Sequence, residues 1–252
     1  MLQAVKKGVY GAGGFALDFL LPMHCAACNA RVAKQDAICS RCWSAVPFLS
    51  EPVCDLYGTP FSYELGEGAL SARAIADPPL FDRARACAAY SGTARDLVVA
   101  FKFAKRRELA DPLGRWMARA GRDLVEPGTL ILPVPLHWTR LWRRRFNQAA
   151  DLAKVVADEA GTTSDPFILQ RARRTRQQVG LDAKTRDKNV RGAFRIRPGE
   201  EGRVAGKEVL LVDDVMTTGS TITACTKVLK RAGASKVNVL TFAMALDETR
   251  EV

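Results

Sequence analysis

The sequence contains no apolar run long enough to cross a membrane. The longest apolar stretch near the N-terminus, residues 8–17, ends at Asp18, whereas a membrane-spanning helix needs about 20 apolar residues. Lys6 and Lys7 precede it, as in a signal peptide, but no small-residue cleavage site follows. We therefore expect no integral membrane segment and a cytoplasmic location. An amphipathic helix in residues 1–22 is expected to pack on the protein or on a partner, with contact to a membrane surface as the alternative.

Acidic residues are fewer than basic ones. The chain has 27 Asp and Glu against 38 Lys and Arg, which gives a net charge of +11. This excess favours anionic partners such as phosphates or nucleic acid, although a basic surface can also serve solubility alone. The 48% hydrophobic and 26% charged content excludes a disordered chain. No internal repeat is evident, so 252 residues suit one ordinary domain with a small appendage.

Four of the seven cysteines form two pairs of equal spacing, Cys25 with Cys28 and Cys39 with Cys42. Two intervening residues let both thiolates of a tight turn reach one metal ion, and two such turns complete a tetrahedral site. We predict one structural zinc site, which contributes to folding where the segment has little core of its own. Two disulfides or a redox pair are the alternatives, but nothing in the sequence indicates secretion.

The run 209–221, VLLVDDVMTTGST, is the most informative stretch of the chain. Its four leading apolar residues predict a strand buried on both faces, which ends at Asp213 and Asp214. The small residues of 217–221 then lead into a helix predicted over residues 222–232, whose N-terminus offers N–H groups and a favourable dipole to an anion. Adjacent carboxylates can accept hydrogen bonds from a ribose diol or hold a divalent cation. The run therefore predicts a site for a 5-phosphoribosyl group.

Strands alternate with helices along the rest of the chain, which predicts an α/β fold with a largely parallel sheet. In such sheets ligands bind at the carboxyl ends of the strands. The prolines at 133 and 135 and the acid pair both lie at predicted strand ends, so we expect them to face one crevice. The predicted strands are 84–90, 130–135, 194–196, 209–214 and 236–246, the predicted helices are 93–103, 109–124, 147–160 and 222–232, and residues 66–79 are predicted as a linker.

Further segments accompany the run 209–221 in a fixed order: 133–137 (PVPLH), 144–149 (RRFNQA), 177–181 (QQVGL) and 189–194 (NVRGAF). With the cysteine-rich N-terminus, this set resembles the ComF family (ComF/GntX-type proteins, linked to competence and the use of external DNA). The family is related to type I phosphoribosyltransferases, and the resemblance extends from about Cys25 to about Leu246. It implies a type I phosphoribosyltransferase-like sheet with flanking helices over 80–252, preceded by a small zinc ribbon with four cysteine ligands over 23–65.

The family often carries further cysteines after this ribbon. Here Tyr57 stands where a partner for Cys54 would be needed, so we do not expect a second metal site. Cys54, Cys87 and Cys225 are expected to be buried and unreactive.

The resemblance also implies a reaction. Phosphoribosyl pyrophosphate (PRPP) would lose pyrophosphate at its anomeric carbon to a nitrogen nucleophile, with magnesium held mainly by PRPP oxygens and water. Asp213 and Asp214 would be the catalytic acids that bind the ribose hydroxyls. The 5′-phosphate would be held by Thr217, Thr218, Gly219, Ser220 and Thr221, and the pyrophosphate loop would be Val134, Pro135 and Leu136.

The basic stretch 171–191 has little apolar periodicity and is a candidate flexible lid over the pyrophosphate. Its candidate contacts are Arg174, Arg176, Lys184 and Arg186. A solvated basic loop without a catalytic task is the alternative, and the same alternative applies to Lys102 on the predicted helix 93–103.

A second basic cluster carries two tryptophans, Trp138 and Trp142, which share a face with residue 145 if the segment is helical. Basic charge with aromatic residues suits single-stranded nucleic acid. The alternative is that the tryptophans are core, and we favour core for Trp142. The arginines of this cluster are Arg140, Arg143, Arg144 and Arg145.

Two functions fit the sequence. The first is a phosphoribosyltransferase with an unknown acceptor, in which the zinc knuckle takes the place of a recognisable hood for the base. The second is a single-stranded-DNA-binding competence protein that works with DNA-uptake proteins and keeps the PRPP site as a regulatory or vestigial pocket. The intact run 209–221 favours PRPP binding under both.

Overall fold

The computed structural model describes residues 24–32, 38–103, 106–173 and 192–246. These residues form an α/β fold with a four-stranded parallel sheet and a two-stranded antiparallel sheet. The predicted class, a largely parallel sheet with flanking helices, is confirmed. The strands are β1 Arg83–Ala89, β2 Leu130–Pro133, β3 Leu169–Arg171, β4 Phe194–Ile196, β5 Glu208–Met216 and β6 Lys236–Met244.

Eight α-helices lie in the part of the chain that the structure describes. None of these is long and apolar enough to span a membrane. They are α1 Ser40–Ser44, α2 Ala72–Ala76, α3 Gly92–Phe103, α4 Ala110–Ala120, α5 Trp138–Arg144, α6 Gln148–Glu159, α7 Glu201–Val204 and α8 Ser220–Arg231, with 3-10 turns at Arg107–Leu109 and Arg122–Leu124.

The parallel sheet has the strand order β1-β6-β5-β2 and is covered on both faces. Successive side chains of a strand point to opposite faces, and β5 divides accordingly between two core clusters. Val209 and Leu211 pack in the cluster that contains α8, while Leu210 and Val212 pack in the cluster that contains α4 and α6. This double burial explains why β5 is a continuous apolar run rather than an alternating one.

The two acids of β5 lie inside the strand rather than at its end. The prediction that the strand stops at Asp214 is wrong, because pairing with β6 continues through Val215 and Met216, the latter opposite Met244. Val215 and Met216 thus belong to the parallel ladder, and the two acids lie near its carboxyl end. Asp213 and Asp214 therefore point to opposite faces of the sheet edge.

Two other predicted elements differ in extent. The helix predicted over 109–124 is interrupted at Gly121, where a Cβ atom would lie 2.7 Å from Cδ1 of Leu240. Any larger residue at this position would therefore force the buried Leu240 side chain to shift. The predicted linker 66–79 contains a helix, α2, with Ser71 as its N-cap. The strand predicted at 194–196 is confirmed as β4, but its partner β3 was not predicted.

The N-terminal region covers the free edge of β1. The backbone N–H of Leu49 donates to the carbonyl of Cys87, and the N–H of Ala89 donates to the carbonyl of Pro47. Further along the same edge, Ala84 N–H donates to the carbonyl of Leu56. These bonds satisfy an edge that would otherwise be open to pairing with another chain.

Two knuckles in this region have the same backbone geometry, although no repeat was evident in the sequence. In the first, Cys25 N–H donates to the Ala30 carbonyl and Asn29 N–H to the Cys25 carbonyl, at 2.7 and 2.9 Å. In the second, Cys54 N–H donates to the Thr59 carbonyl and Gly58 N–H to the Cys54 carbonyl, at 2.8 and 2.7 Å. Asn29 and Gly58 both have positive φ, 61° and 67°. We call these the first and the second knuckle.

The short helices that follow the knuckles extend the repeat. The backbone N–H of Cys39, before α1, donates to Sγ of Cys25 at 3.4 Å. The backbone N–H of Ser71, before α2, donates to Sγ of Cys54 at 3.3 Å. The second copy thus continues to Ala76, and the predicted boundary at residue 65 stays a prediction. In this correspondence Cys25, Cys28, Cys39 and Cys42 match Cys54, Tyr57, Ser71 and Ala74.

Candidate functional site

The four cysteines predicted to bind zinc lie together. Their Sγ atoms are all within 4.8 Å of one another, and those of Cys28 and Cys39 are 3.6 Å apart. A tetrahedral site with Zn–S bonds of about 2.3 Å places its sulfur atoms about 3.8 Å apart, so the cluster fits one zinc ion. A disulfide needs about 2.05 Å between sulfurs, and all four cysteines are free thiols in the structure.

The electrostatics of the cluster favour a thiolate. A hydrogen bond from the backbone N–H of Ala30, followed by contact with Cys42, lowers the pKa of the Cys28 thiol to about 6. A metal ion binds the thiolate form. Four sulfur ligands leave no open position for water or substrate, so the arrangement is that of a structural site.

The three remaining cysteines are buried, as predicted. Cys54, Cys87 and Cys225 are at most 3% exposed. Burial raises the pKa of the Cys87 and Cys225 thiols, which keeps them protonated and unreactive at neutral pH. Within the described residues, the Cys25 cluster alone brings metal-binding side chains together in this way.

The turn between β5 and α8 presents an open helix N-terminus. Gly219 adopts a left-handed conformation with φ of 76°, and α8 begins at the next residue. Thr218 Oγ1 and Ser220 Oγ lie 3.0 Å apart, while Thr217 and Thr218 are exposed to solvent. The turn therefore combines the N–H groups of a first helical turn, hydroxyl donors and the positive end of a 12-residue helix. This is suitable for a phosphate group.

The acid pair beside this turn has a lysine partner. Asp214 is 8% exposed, and its Oδ1 forms an ion pair with Nζ of Lys102 at 2.8 Å. Oδ1 of Asp213 accepts the backbone N–H of Asp214 at 2.8 Å. Lys102 lies in the last turn of α3. The sequence pattern left open whether this residue has a role in the site. No local motif distinguishes it, because the contact depends on how α3 packs against the sheet.

The two carboxylates are not equivalent. Burial and the neighbouring Asp214 carboxylate raise the pKa of Asp213 to about 7, against smaller opposing effects of Lys102, the Asp214 N–H and Arg171. Asp213 therefore changes its charge near neutral pH. A carboxyl group whose pKa is raised by burial and by a neighbouring carboxylate is typical of sites that bind or move protons.

The candidate pyrophosphate loop lies at the end of the neighbouring strand. Val134 is buried, and its backbone N–H donates to the carbonyl of Val212 at 2.8 Å. Asn147 Nδ2 donates to the carbonyl of Val134 at 3.2 Å. Asn147 occupies the N-cap position of α6 without a side-chain cap bond, so its side chain fixes the loop instead. Pro135 and Leu136 follow in the same turn, beside β5, because β2 pairs with β5.

The predicted lid falls largely outside the described residues. Its candidate contacts Arg174, Arg176, Lys184 and Arg186 lie outside the described residues. The helix predicted in residues 1–22 lies outside them as well. Arg171, the first residue of the predicted lid, is the last residue of β3. Its positive charge lowers the pKa of Asp213. One cation of the predicted lid segment 171–191 therefore lies close to the acid pair.

The tryptophans of α5 are exposed. Trp138 is 67% and Trp142 is 86% exposed, so the interpretation of Trp142 as core is wrong. Arg140, Arg143 and Arg144 lie in α5. Arg145 follows the helix with a left-handed φ of 67°, so the helical face predicted through residue 145 stops before it.

A parallel α/β sheet with two adjacent acids, a small-residue turn and an open helix N-terminus is the architecture of phosphoribosyltransferases. A family profile described as a phosphoribosyl transferase domain matches residues 148–252. A second profile, described as a double zinc ribbon domain, matches residues 16–75, which include both knuckles. The class defined by these features is a phosphoribosyltransferase-like domain with an N-terminal zinc ribbon.

Curated relatives identify the family. The chain is 36% identical over 173 residues to DNA utilization protein YhgH of Salmonella typhi, covering 66% of this chain and 74% of that protein. It is 33% identical over 209 residues to the YhgH protein of Escherichia coli strain K12, covering 80% and 88%. It is 30% identical over 228 residues to Competence protein F of Haemophilus influenzae, covering 88% and 96%. The chain belongs to the ComF family.

Matches among solved structures are more distant. A glutamine PRPP amidotransferase from B. subtilis has 21% identity and a TM-score of 0.37, over 53% of this chain and 26% of that chain. A hypoxanthine phosphoribosyltransferase from Staphylococcus aureus has 15% identity and a TM-score of 0.30, over 55% of this chain and 62% of that chain. The chain spans about a quarter of the length of the amidotransferase.

Proposed function

We propose that the protein binds PRPP with magnesium and transfers its phosphoribosyl group to a nitrogen acceptor. The observation that carries the proposal is the β5–α8 segment, in which Asp213 and Asp214 precede an open helix N-terminus. The 5′-phosphate binds to the turn, where N–H groups and hydroxyls converge. Its ligands in the proposal are Thr217, Thr218, Gly219, Ser220 and Thr221.

The acid pair binds the ribose. Its two hydroxyls donate to Asp213 and Asp214, whose carboxylates accept hydrogen bonds. When the bond to pyrophosphate breaks, positive charge develops on the ribose, and nearby carboxylates stabilise that charge. Lys102 offsets part of the negative charge of Asp214, which reduces the repulsion between the two carboxylates.

The pyrophosphate lies beside the turn of Val134, Pro135 and Leu136 in the proposal. Asn147 fixes this turn through the Val134 carbonyl, so its backbone groups are pre-organised for an anion. Magnesium, when bound, would neutralise charge on the pyrophosphate. Asp213 and Asp214 would hold it through water molecules, since magnesium keeps much of its hydration shell.

The zinc ion has a structural role in the proposal. It is bound by Cys25, Cys28, Cys39 and Cys42, which lie at the spacing that a tetrahedral ion requires. The ribbon then holds its fold next to the sheet edge, and the catalytic centre lies within residues 80–252.

The biological setting is proposed from the relatives. Their names, DNA utilization protein and Competence protein F, support a role in the uptake or use of DNA, with DNA-uptake proteins as partners in the cytoplasm. A second candidate function, binding of single-stranded DNA, is favoured by the exposed Trp138 and Trp142 on an arginine-rich helix. Aromatic faces stack on bases, and arginines neutralise the backbone.

Calorimetric titration of magnesium-PRPP tests the proposal. The zinc-loaded protein is expected to bind, and the double variant Asp213→Asn/Asp214→Asn is expected to lose binding. Asp158→Asn is the matched control, because Asp158 is an exposed acid paired only on the surface of α6. Binding that is retained in the double variant, or absent from the native protein, contradicts the phosphoribosyl site.

A separate titration tests the DNA surface. A fluorescent single-stranded oligonucleotide is expected to bind the native protein and to bind Trp138→Ala/Trp142→Ala more weakly. The affinity should fall steeply with salt, as for an interface dominated by phosphates. PRPP binding of this variant should be unchanged, which separates the two surfaces.

A further inference from the structure

Helix α3 presents a second apolar face to solvent. Val99 is 43% and Phe103 is 61% exposed, and side chains four residues apart share one face of a helix. The core side of the same helix is already packed, because Leu97 and Phe101 are completely buried. We call the exposed pair Val99 and Phe103 the α3 stripe. Two large apolar side chains on one helical face suit a packing partner.

The N-terminal region enters the described structure beside this stripe. The backbone carbonyl of His24, the first described residue, accepts a hydrogen bond from Nη2 of Arg106 at 3.1 Å. Arg106 comes three residues after Phe103, where α3 ends. Ala26 and Ala27 pack against the core cluster that contains the buried side of α3. The residues that precede His24 therefore start from the end of α3.

The length of the connection keeps the preceding residues close to the stripe. Leu21 stands three residues before His24 in the sequence. Because consecutive Cα atoms are 3.8 Å apart, Leu21 lies within about 11 Å of His24 by any path of the chain. The same limit places Phe103 within about 11 Å of Arg106. The hydrogen bond between His24 and Arg106 thus brings the end of the N-terminal segment near the stripe.

The sequence of residues 15–21, FALDFLL, is apolar except for one acid. In a helix, Phe15 and Phe19 share one face with Leu20 beside them, and Asp18 lies off that face. Pro22 follows the run, and helices usually end at or before the residue that precedes a proline. A helix this short is marginal in water and needs packing of its apolar face.

The apolar run and the α3 stripe correspond in register. The contact between His24 and Arg106 joins residues 82 positions apart. A helix that runs beside α3 with the same rise per residue keeps this offset. Position 17 is then level with Val99, and position 21 is level with Phe103. The run 15–21 therefore spans the stripe.

We propose that residues 15–21 form a helix that docks on the α3 stripe of the same chain. The stripe receives this segment because the short connection through His24 holds it there at high effective concentration. Docking fastens the first knuckle to the end of α3, where Lys102 pairs with Asp214. The contact is independent of whether the acid pair binds PRPP.

Hydrogen exchange of the full-length protein, read by mass spectrometry, tests the contact. Residues 15–21 are expected to be protected in the native protein. They should exchange about tenfold faster or more in Val99→Lys/Phe103→Lys, because two charges then face the apolar run. The control is Leu65→Lys/Ile75→Lys, which replaces two apolar side chains that are 48% and 69% exposed and lie outside α3. This control should leave residues 15–21 protected.

A double-mutant cycle tests the same contact from the other side. Phe15→Ser/Phe19→Ser should lower the melting temperature, and so should Val99→Lys/Phe103→Lys. The four substitutions together should lower it by less than the sum of the two losses, because each pair removes the same contact. Additive losses overturn the proposal. If Val99→Lys/Phe103→Lys fails to fold, Phe15→Ser/Phe19→Ser should still speed exchange in the last turn of α3, and unchanged exchange there overturns the contact.

Other occupants of the stripe give different results, and each of them overturns the proposal. Residues 15–21 that exchange at the rate of an unfolded chain in the native protein do not dock. Protection that rises with protein concentration assigns the stripe to a second copy of the chain. Protection that appears only with phosphatidylglycerol vesicles assigns the segment to a membrane surface.

Discussion

Lys102, Asp213 and Asp214 form the most consequential side-chain group of the molecule. Lys102 places its charge 2.8 Å from Asp214, in a setting where both side chains are largely shielded from solvent. Asp213 has the Asp214 carboxylate as its close neighbour and a pKa of about 7. A proton on Asp213 therefore relieves repulsion, while deprotonation prepares two acceptors for a diol. The site is poised to change its charge when ligand binds.

The raised pKa of Asp213 predicts how stability changes with pH. An aspartate in the unfolded chain titrates near pH 3.8, whereas Asp213 titrates near 7 in the folded protein. Between these values the folded state binds the extra proton, so Asp213 lowers stability as pH rises from about 4 to about 7. Asp213→Asn removes this loss and is expected to stabilise the protein at pH 8 by about 1–3 kcal/mol. Urea unfolding at pH 5 and pH 8 measures the difference, and an equal effect at both pH values contradicts the assignment.

The same carboxyl group should control ligand affinity. Binding of the ribose diol favours the carboxylate form of Asp213, so affinity for ribose 5-phosphate should rise from pH 6 to pH 8. The phosphate of the ligand also titrates in this range, and the pH dependence that remains in Asp213→Asn gives the contribution of the phosphate. The affinity of the native protein, measured by calorimetry, should rise more steeply with pH than that of the variant. Parallel pH profiles of the two proteins contradict a role for Asp213 in binding.

Removal of the Lys102 charge should affect both acids. Lys102→Met leaves Asp214 without its ion-pair partner, and a largely buried unpaired charge costs about 1–3 kcal/mol or more of unfolding free energy. Lys154→Met is the control, because Lys154 pairs with Asp158 on the surface of α6 and such pairs contribute less than about 1 kcal/mol. Thermal unfolding at pH 8 compares the variants. Equal losses in both contradict a special role of Lys102.

At the scale of elements, the junction of β5 and α8 determines the site. The strand is fixed by burial on both faces, and the helix by its apolar side against the sheet. Only the turn between them is open to solvent. Gly219 allows the chain to reverse at a φ of 76°, which most other residues adopt only with strain.

Gly219 offers a test with a matched control. Gly219→Ala places a Cβ in open space but at positive φ, and so does Gly128→Ala, where φ is 88°. Each should lose about 1 kcal/mol of stability from backbone strain. Only Gly219→Ala should also weaken binding of ribose 5-phosphate, because its turn carries the proposed phosphate ligands. Similar affinities of the two variants contradict the assignment of the turn.

The elements that the sequence predicted correctly are those with a local signal. The strand at β1 and the helix at α6 follow from apolar periodicity, and Gly161 marks the end of the latter. The end of β5 was placed too early, because two carboxylates indicate a loop unless the neighbouring strand is known. Trp142 was placed in the core because its size and apolar character favour burial, whereas its side chain is 86% exposed, which depends on long-range packing that no local pattern indicates.

At the scale of the whole molecule, the sequence predicted the fold class and the cluster of four cysteines, but not how the two knuckles are placed against the sheet. Spacing alone identified Cys25, Cys28, Cys39 and Cys42. The repeat of the knuckles was missed because three of its four ligand positions have changed, although the spacing of Cys54 and Tyr57 preserves it. Which face the second knuckle covers follows from long-range packing, so a local pattern could not predict its place beside the phosphate turn.

The two knuckles are attached to the molecule in different ways. The second knuckle belongs to the main core, where Cys54, Tyr57 and Ala74 are buried with the sheet residues. The first knuckle contributes partly buried alanines at the edge of the other cluster. Its cysteine cluster, rather than apolar packing, connects its two halves. Metal should therefore be essential to the first knuckle and not to the second.

Removal of zinc should separate the knuckles. We expect purified protein to contain about one equivalent of zinc and to lose it in Cys25→Ser/Cys28→Ser. In the chelated protein, the amide of Asn29 should exchange rapidly with deuterium, while the corresponding amide of Gly58 should stay protected. Hydrogen exchange read by mass spectrometry distinguishes the two peptides, because local opening follows local stability. Exchange that increases equally in both knuckles contradicts this division, since it means that a single metal-dependent unit holds the whole N-terminal region against the sheet.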